Sequence, residues 1–153
     1  MSQRQTALIV DDDQGVAENL ATALRRAGFI ARTARNGLHG YSRYFREPTD
    51  WVVTDIDMPD LNGIDMMRSI RAINPAVKTI YMSGSVDKYR AALIRESRQF
   101  AAQILLKPFD LRQLIERIRE TDSNRPSGAT VPSKDLHNCT EIPSGEAMQR
   151  AKK

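Results

Sequence analysis

The chain is predicted to be an α/β protein built on a doubly wound, five-stranded parallel sheet, a (βα)5 arrangement, and three observations predict it. Short apolar runs recur five times between residues 7 and 106, each followed by a segment with apolar residues at helical spacing. The connections between them are short, and such alternation calls for parallel strands joined by right-handed crossovers with helices on both faces. Runs as continuously apolar as Trp51-Val52-Val53 suit strands covered on both sides.

The elements follow in order. Ala7-Leu8-Ile9-Val10 is the first strand, closed by Asp11-Asp12-Asp13, with Asp13 placed to cap the next helix. Val16, Leu20, Ala23 and Leu24 mark that helix, and Ala27-Gly28 stops it. Phe29 to Thr33 reads as a second strand, and Gly37 to Glu47 as a helix ended by Pro48. Trp51 to Thr54 is the third strand. A loop over 56–63 carries Pro59, Asn62 and Gly63, and Ile64, Met67 and Ile70 face the core from a third helix that ends near Asn74-Pro75. Val77 to Met82 is the fourth strand. Residues 86–99 read as one polar helix with Ala91 to Ile94 as its buried part. Ile104 to Leu106 is the fifth strand, and Asp110 caps a last helix through Leu111, Leu114, Ile115 and Ile118.

With 153 residues and 41% hydrophobic content, the chain accommodates one domain over about residues 1–120. From Thr121 the apolar residues become isolated among Ser, Pro, Gly and Asn, so 121–153 reads as a disordered C-terminal tail. A single cysteine, Cys139, excludes an internal disulfide, and His39 and His137 are too far apart in sequence to suggest a metal pair. Met58, Met66, Met67 and Met82 read as loop and core packing. The N-terminus lacks the apolar stretch of a signal peptide, and no run approaches the ~20 residues a membrane helix requires. A soluble cytoplasmic protein is the expectation. The net charge of +4 is spread along the chain in single or paired basic residues, which gives little support to nucleic-acid binding.

The chemistry lies at the strand ends. Parallel strands would bring Asp11 and Asp12, Asp55, Ser83 and Lys107 to one sheet edge, where doubly wound folds bind ligands. Carboxylates, a hydroxyl and an ammonium meeting there can hold a hard divalent cation and accept a phosphoryl group.

Val10-Asp11-Asp12-Asp13, Val53-Thr54-Asp55-Ile56-Asp57-Met58-Pro59 with Gly63, Ser83-Gly84 and Lys107-Pro108-Phe109 together resemble the receiver domain of two-component response regulators, over about residues 5–120. The resemblance implies a CheY-like, flavodoxin-like fold and a single-domain regulator, not a conventional enzyme. It implies Asp55 as the phosphoacceptor, Lys107 as the cation that reaches the phosphoryl oxygens, and Ser83 at the Thr/Ser switch position. It implies a Mg²⁺ site with Asp12 as a direct ligand, Asp11 acting mainly through water, and Asp55 and the backbone carbonyl of Asp57 as further oxygen ligands. The implied donor is a histidine kinase or histidine phosphotransfer protein, and the implied output is a changed affinity for a target protein. The resemblance further implies a cis Lys107-Pro108 peptide.

Three features depart from the family pattern. Ile104 stands where the family often has Tyr or Phe three residues before the Lys, so output is expected through loop and helix movement driven by Ser83, with Tyr81 or Tyr89 as the nearest aromatic substitutes. Asp57 adds a carboxylate two residues after Asp55, which reads either as a charge near the metal or as a solvated loop residue. The stretch from Ser83 to Lys107 is slightly long, which predicts a lengthened or distorted fourth helix.

Other functions compete. Asp55-Ile56-Asp57 resembles the DxD signature of haloacid-dehalogenase-type phosphatases, but that family begins at this strand, needs more chain, and gives no reason for Asp11 and Asp12. A receiver-fold adaptor that works without phosphate is opposed by the intact set of Asp11, Asp12, Asp55, Ser83 and Lys107. A DNA-binding regulator is opposed by the lack of a helix-turn-helix segment after residue 120, and no membrane partner is expected.

Overall fold

The structure, a computed structural model, describes residues 3–123. Five parallel strands form one sheet: β1 (Thr6–Val10), β2 (Ile30–Ala34), β3 (Trp51–Asp55), β4 (Lys78–Ser83) and β5 (Ala102–Leu106), in the order β2-β1-β3-β4-β5. Each is followed by a helix: α1 (Gln14–Arg26), α2 (Gly37–Arg46), α3 (Gly63–Ile73), α4 (Arg90–Gln99) and α5 (Leu111–Ser123). The fold is the doubly wound (βα)5 sheet that the alternation predicts. The strand order reverses between β1 and β3, and the crevice beyond their carboxyl ends is the topological switch point.

Side chains alternate across the sheet and divide the core in two. Leu8, Val10, Val52, Tyr81 and Ile104 pack under α2, α3 and α4. Ala7, Ile9, Trp51, Val53, Ile80 and Leu105 pack under α1 and α5. Both faces of the central strands are therefore dry, as their continuous apolar runs require. Met58, Met66, Met67 and Met82 are all buried.

Local sequence sets the helix starts. Asp13 Oδ1 accepts the backbone N–H groups of Gly15 at 3.0 Å and Val16 at 3.2 Å. Asp110 and Gln113 cap reciprocally: the Gln113 N–H donates to Asp110 Oδ1, and the Asp110 N–H donates to Gln113 Oε1, each at 2.9 Å. Gly28, after α1, takes φ 99°, a conformation side chains disfavour.

Several elements differ from the sequence reading. β2 and β4 each begin one residue later than read, and β5 begins at Ala102 because Ala102 and Gln103 also pair with β4. Residues 86–99 are not one helix: a 3-10 turn, Asp87–Tyr89, precedes α4. The buried residues of α4 are Leu93, Glu96 and Ser97, and Ala91 is exposed. A charged residue occupies the inner face, so apolar periodicity misplaced it. α5 continues through Ser123, three residues into the expected tail, with Lys78 Nζ 2.7 Å from the Asp122 carboxylate. The rest of that tail, with His137 and Cys139, lies outside the described residues.

Candidate functional site

Asp11 directly follows β1, and Asp55 is the last residue of β3, so the switch point places them side by side. One carboxylate oxygen each of Asp11, Asp12 and Asp55 lies within 4.8 Å of the others. Asp11 and Asp55 are buried and Asp12 is exposed. Lys107, just past β5, sets its Nζ 3.2 Å from Asp55 Oδ1 and 3.8 Å from Asp11 Oδ2. Its backbone N–H donates to the Ser83 carbonyl at 2.8 Å, which ties the ends of β4 and β5 together. The Lys107-Pro108 peptide is cis.

The acidic cluster works against its own charge. Asp11 Oδ1 accepts the Asp13 N–H at 2.9 Å, but Asp11 Oδ2 is buried without a hydrogen bond. Burial pushes the Asp11 carboxyl up to about 6; the nearby Asp55 and Asp12 charges add to this, while the Asp13 N–H and Lys107 oppose it. Asp55 is also raised, first by burial and then by Asp12, against the pull of Lys107. An all-oxygen set with one orphaned buried carboxylate oxygen fits a hard divalent cation, and Mg²⁺ suits a site opening to water through Asp12.

Gly63 lets the loop close on the site. Its N–H donates to the Ile56 carbonyl at 3.0 Å, and a Cβ there would stand 2.3 Å from the Asp55 carbonyl oxygen. Ser83 is buried beside the site. Its hydroxyl donates to the Ser85 carbonyl at 2.9 Å and accepts the Ser85 N–H at 3.1 Å, and makes no hydrogen bond with Asp55.

Asp57 does not join the acidic cluster. Its Oδ1 accepts the Tyr89 hydroxyl at 2.6 Å, and Lys88 Nζ stands 3.5 Å away. Its carboxylate bridges the loop after β3 to the 3-10 turn before α4.

A buried polar network on the same side of the sheet was not read from the sequence. Arg71 on α3 pairs with Glu96 Oε2 on α4 at 3.0 Å, and the Tyr81 hydroxyl on β4 donates to the same oxygen at 2.7 Å. Arg71 also donates to the Val77 carbonyl and Thr79 Oγ1, and stacks over Phe100 at 4.2 Å. The available signal was Arg71 itself, four residues after Met67 and thus on the apolar stripe of its helix.

Comparison with known proteins decides the family. Residues 7–119 match the response regulator receiver domain. The chain belongs to the response regulator receiver domain family. The receiver is 31% identical over 115 residues to the response regulator receiver protein CpdR of Brucella abortus, covering 74% of this chain and 92% of that protein. It is 34% identical over 125 residues to the DNA-binding transcriptional regulator NtrC of Azospirillum brasilense, covering 81% of this chain and 26% of that one. With the transcriptional regulatory protein CreB of Escherichia coli the match covers 50% of the relative, so the chain spans half or less of these regulators. Among solved structures, a response regulator receiver domain protein from Clostridium thermocellum aligns with TM-score 0.68 and 26% identity, covering 78% of this chain and 94% of that one. A CheY-like receiver from Methanospirillum hungatei aligns with TM-score 0.72 at 24% identity, over 79% of this chain and 96% of that one, and shares the fold. Receivers as a family are phosphoacceptor signalling modules rather than conventional enzymes. The family match removes the DxD phosphatase reading. No helix among the described residues is long and apolar enough to cross a membrane.

Proposed function

We propose that this receiver accepts a phosphoryl group on Asp55 from a histidine kinase or histidine phosphotransfer protein, and that its own surface carries the signal to a target protein in the cytoplasm. The observation that carries the reading is the gathering of Asp11, Asp12, Asp55 and Lys107 at the switch point, with Lys107 Nζ 3.2 Å from Asp55 Oδ1. The likeness to CpdR, matched over 92% of its length, supports a receiver that acts through its own surface.

In this reading one Asp55 carboxylate oxygen forms a bond to phosphorus as the bond from phosphorus to the donor imidazole nitrogen breaks. That nitrogen keeps the electron pair and takes up a proton. Asp11, Asp12 and Asp55, with the Asp57 backbone carbonyl, would hold Mg²⁺, which would supply positive charge against the repulsion between carboxylate and phosphoryl oxygens. Lys107 leaves Asp55 Oδ1 for the new phosphoryl oxygens as a flexible point charge. Ser83 gives up Ser85 and donates to the phosphoryl group. Because Lys107 N–H holds the Ser83 carbonyl, the two residues close from adjacent strands. Attack by water on phosphorus then releases inorganic phosphate and restores Asp55.

Incubation with Mg²⁺ and acetyl phosphate, followed by intact mass measurement, tests this. The parent gains one phosphoryl mass, and neither Asp55→Asn nor the parent in chelator does. No gain in the parent with Mg²⁺ bound, repeated with a phosphohistidine donor, would contradict the reading and favour the phosphate-independent adaptor.

A further inference from the structure

The α2 face is apolar, exposed and positively charged at once. Leu38, Tyr41 and Phe45 recur at i, i+3 and i+7, which places them on one stripe of the helix. Leu38 is 60% and Phe45 66% exposed, the two most exposed large apolar residues among those described. Tyr41 is half-buried against the core, and its ring stands 6.5 Å from that of Phe45, so the stripe is a supported platform. On the neighbouring α3, seated against α2 by the Tyr44–Asn74 hydrogen bond at 3.0 Å, Ile73 is also exposed.

The charge along α2 itself has one sign, and Glu47 at its C-cap is paired with Arg32. Between Arg35 and Arg46 there are three arginines and no acidic residue. Arg43 is turned to the Thr33 carbonyl at 2.8 Å. Arg35 and Arg46 are exposed, and neither guanidinium has a carboxylate partner among the described residues. The field is felt by His39, pushed below its usual range first by burial and then by Arg43, Arg35 and Arg46. The combination matches a partner helix with apolar residues along one face and carboxylates beside them.

The helix that carries the stripe also meets the loop after Asp55, through its buried first residue. At its start, a Cβ on Gly37 would stand 2.3 Å from the Leu61 carbonyl oxygen, so α2 begins in close contact with the segment between β3 and α3. Asp60 in that segment holds φ 69°, a strained value for a side-chain-bearing residue.

We infer that the Leu38–Tyr41–Phe45 face, flanked by Arg35 and Arg46, is a docking surface for an acidic amphipathic helix of a partner protein, with an affinity set by the state of the loop that follows Asp55. The coupling to Asp55 rests on the proposed phosphoacceptor function; the surface itself does not.

The test is a titration of the isotope-labelled full chain with a synthetic helical peptide, Leu at i, i+3 and i+7 and Glu on both flanks, followed by backbone amide shifts. A control peptide carries Lys for each Glu. The expected result is shifts concentrated on α2, at least tenfold weaker binding for Phe45→Ser, at least fivefold weaker for Arg46→Glu, and no binding of the Lys peptide. Both substitutions sit at exposed positions, and an unchanged amide spectrum elsewhere certifies the fold. Equal binding of the two peptides, shifts away from α2, or no shifts at all would overturn the surface. So would concentration-dependent self-association lost in Phe45→Ser, which would make the occupant a second copy. Repeating the titration after acetyl phosphate, with the mass of the same sample measured, separates the two ideas. An affinity change of threefold or more supports the coupling. Unchanged affinity in a phosphorylated sample overturns the coupling. Failure to phosphorylate, with peptide still bound on α2, removes the phosphoacceptor reading and leaves the surface standing.

Discussion

Asp11 holds a buried carboxylate oxygen that no hydrogen bond satisfies, close to two further carboxylates. Its carboxyl is raised to about 6, while an unfolded chain would titrate near ~4. Between those values the folded state binds more protons than the unfolded one, so this residue's contribution to stability falls as pH rises through the window and levels off above it. Asp11→Asn is therefore expected to stabilise the metal-free protein at neutral pH by about 1–3 kcal/mol. Urea unfolding in chelator at pH 4.5 and pH 7 checks this: the variant gains at pH 7 and has the shallower pH dependence. The same proton competes with a metal ion. Calorimetric titration with Mg²⁺ should show affinity falling about tenfold per pH unit below about 6. At Gly63 the constraint is steric. Gly63→Ala would drive a Cβ into the Asp55 carbonyl, 2.3 Å away, and is expected to cost about 1–3 kcal/mol in thermal unfolding and to slow phosphorylation.

Between elements, the Arg71–Glu96–Tyr81 network joins α3, α4 and β4 across the face where Ile104 stands in place of an aromatic ring. Tyr81 and Ile104 are register partners on β4 and β5, and both are buried in one cluster. The Tyr81 hydroxyl lies under α4, bound to Glu96, and burial together with the Glu96 charge holds its pKa well above the usual range. Truncating one partner leaves the other charge buried and alone, so Glu96→Ala should lose about 3–5 kcal/mol in denaturant unfolding. The paired change Arg71→Met with Glu96→Leu should recover most of that loss. The 3-10 turn before α4 was not legible, since the length between Ser83 and Lys107 predicts only a lengthened or distorted helix, and neither was its buried face, because Glu96 and Ser97 occupy positions that periodicity assigns to apolar residues. The caps at Asp13 and Asp110 were legible because a carboxylate beside free N–H groups has one evident local use. The partner of Asp57 was not: Tyr89 lies 32 residues away, and only the approach of β3 and β4 brings the two loops together.

Across the whole molecule, the alternation of apolar runs and helical segments was enough to give the sheet and its connections, since parallel strands with both faces covered leave few other arrangements. The candidate site was legible for the same reason, because doubly wound folds gather strand ends at one crevice, and the acidic residues already stood at those ends. The α2 surface was not legible, since an apolar stripe on a helix usually faces inward, and only the position of α2 against the sheet turns Leu38 and Phe45 outward. Mg²⁺ should act on the fold as a whole by relieving the acidic cluster. At a concentration about 100 times its Kd it should add about 2.7 kcal/mol to stability, and Asp12→Ala should abolish this shift in the melting temperature. The most direct test of the central claim is the location of the phosphoryl group. After reaction with a phosphohistidine donor and Mg²⁺, borohydride reduction of the acyl phosphate and peptide mapping should find the reduced residue at position 55 alone. Reduction at Asp11, Asp12 or Asp57, or at no aspartate after a confirmed phosphoryl mass gain, would contradict it.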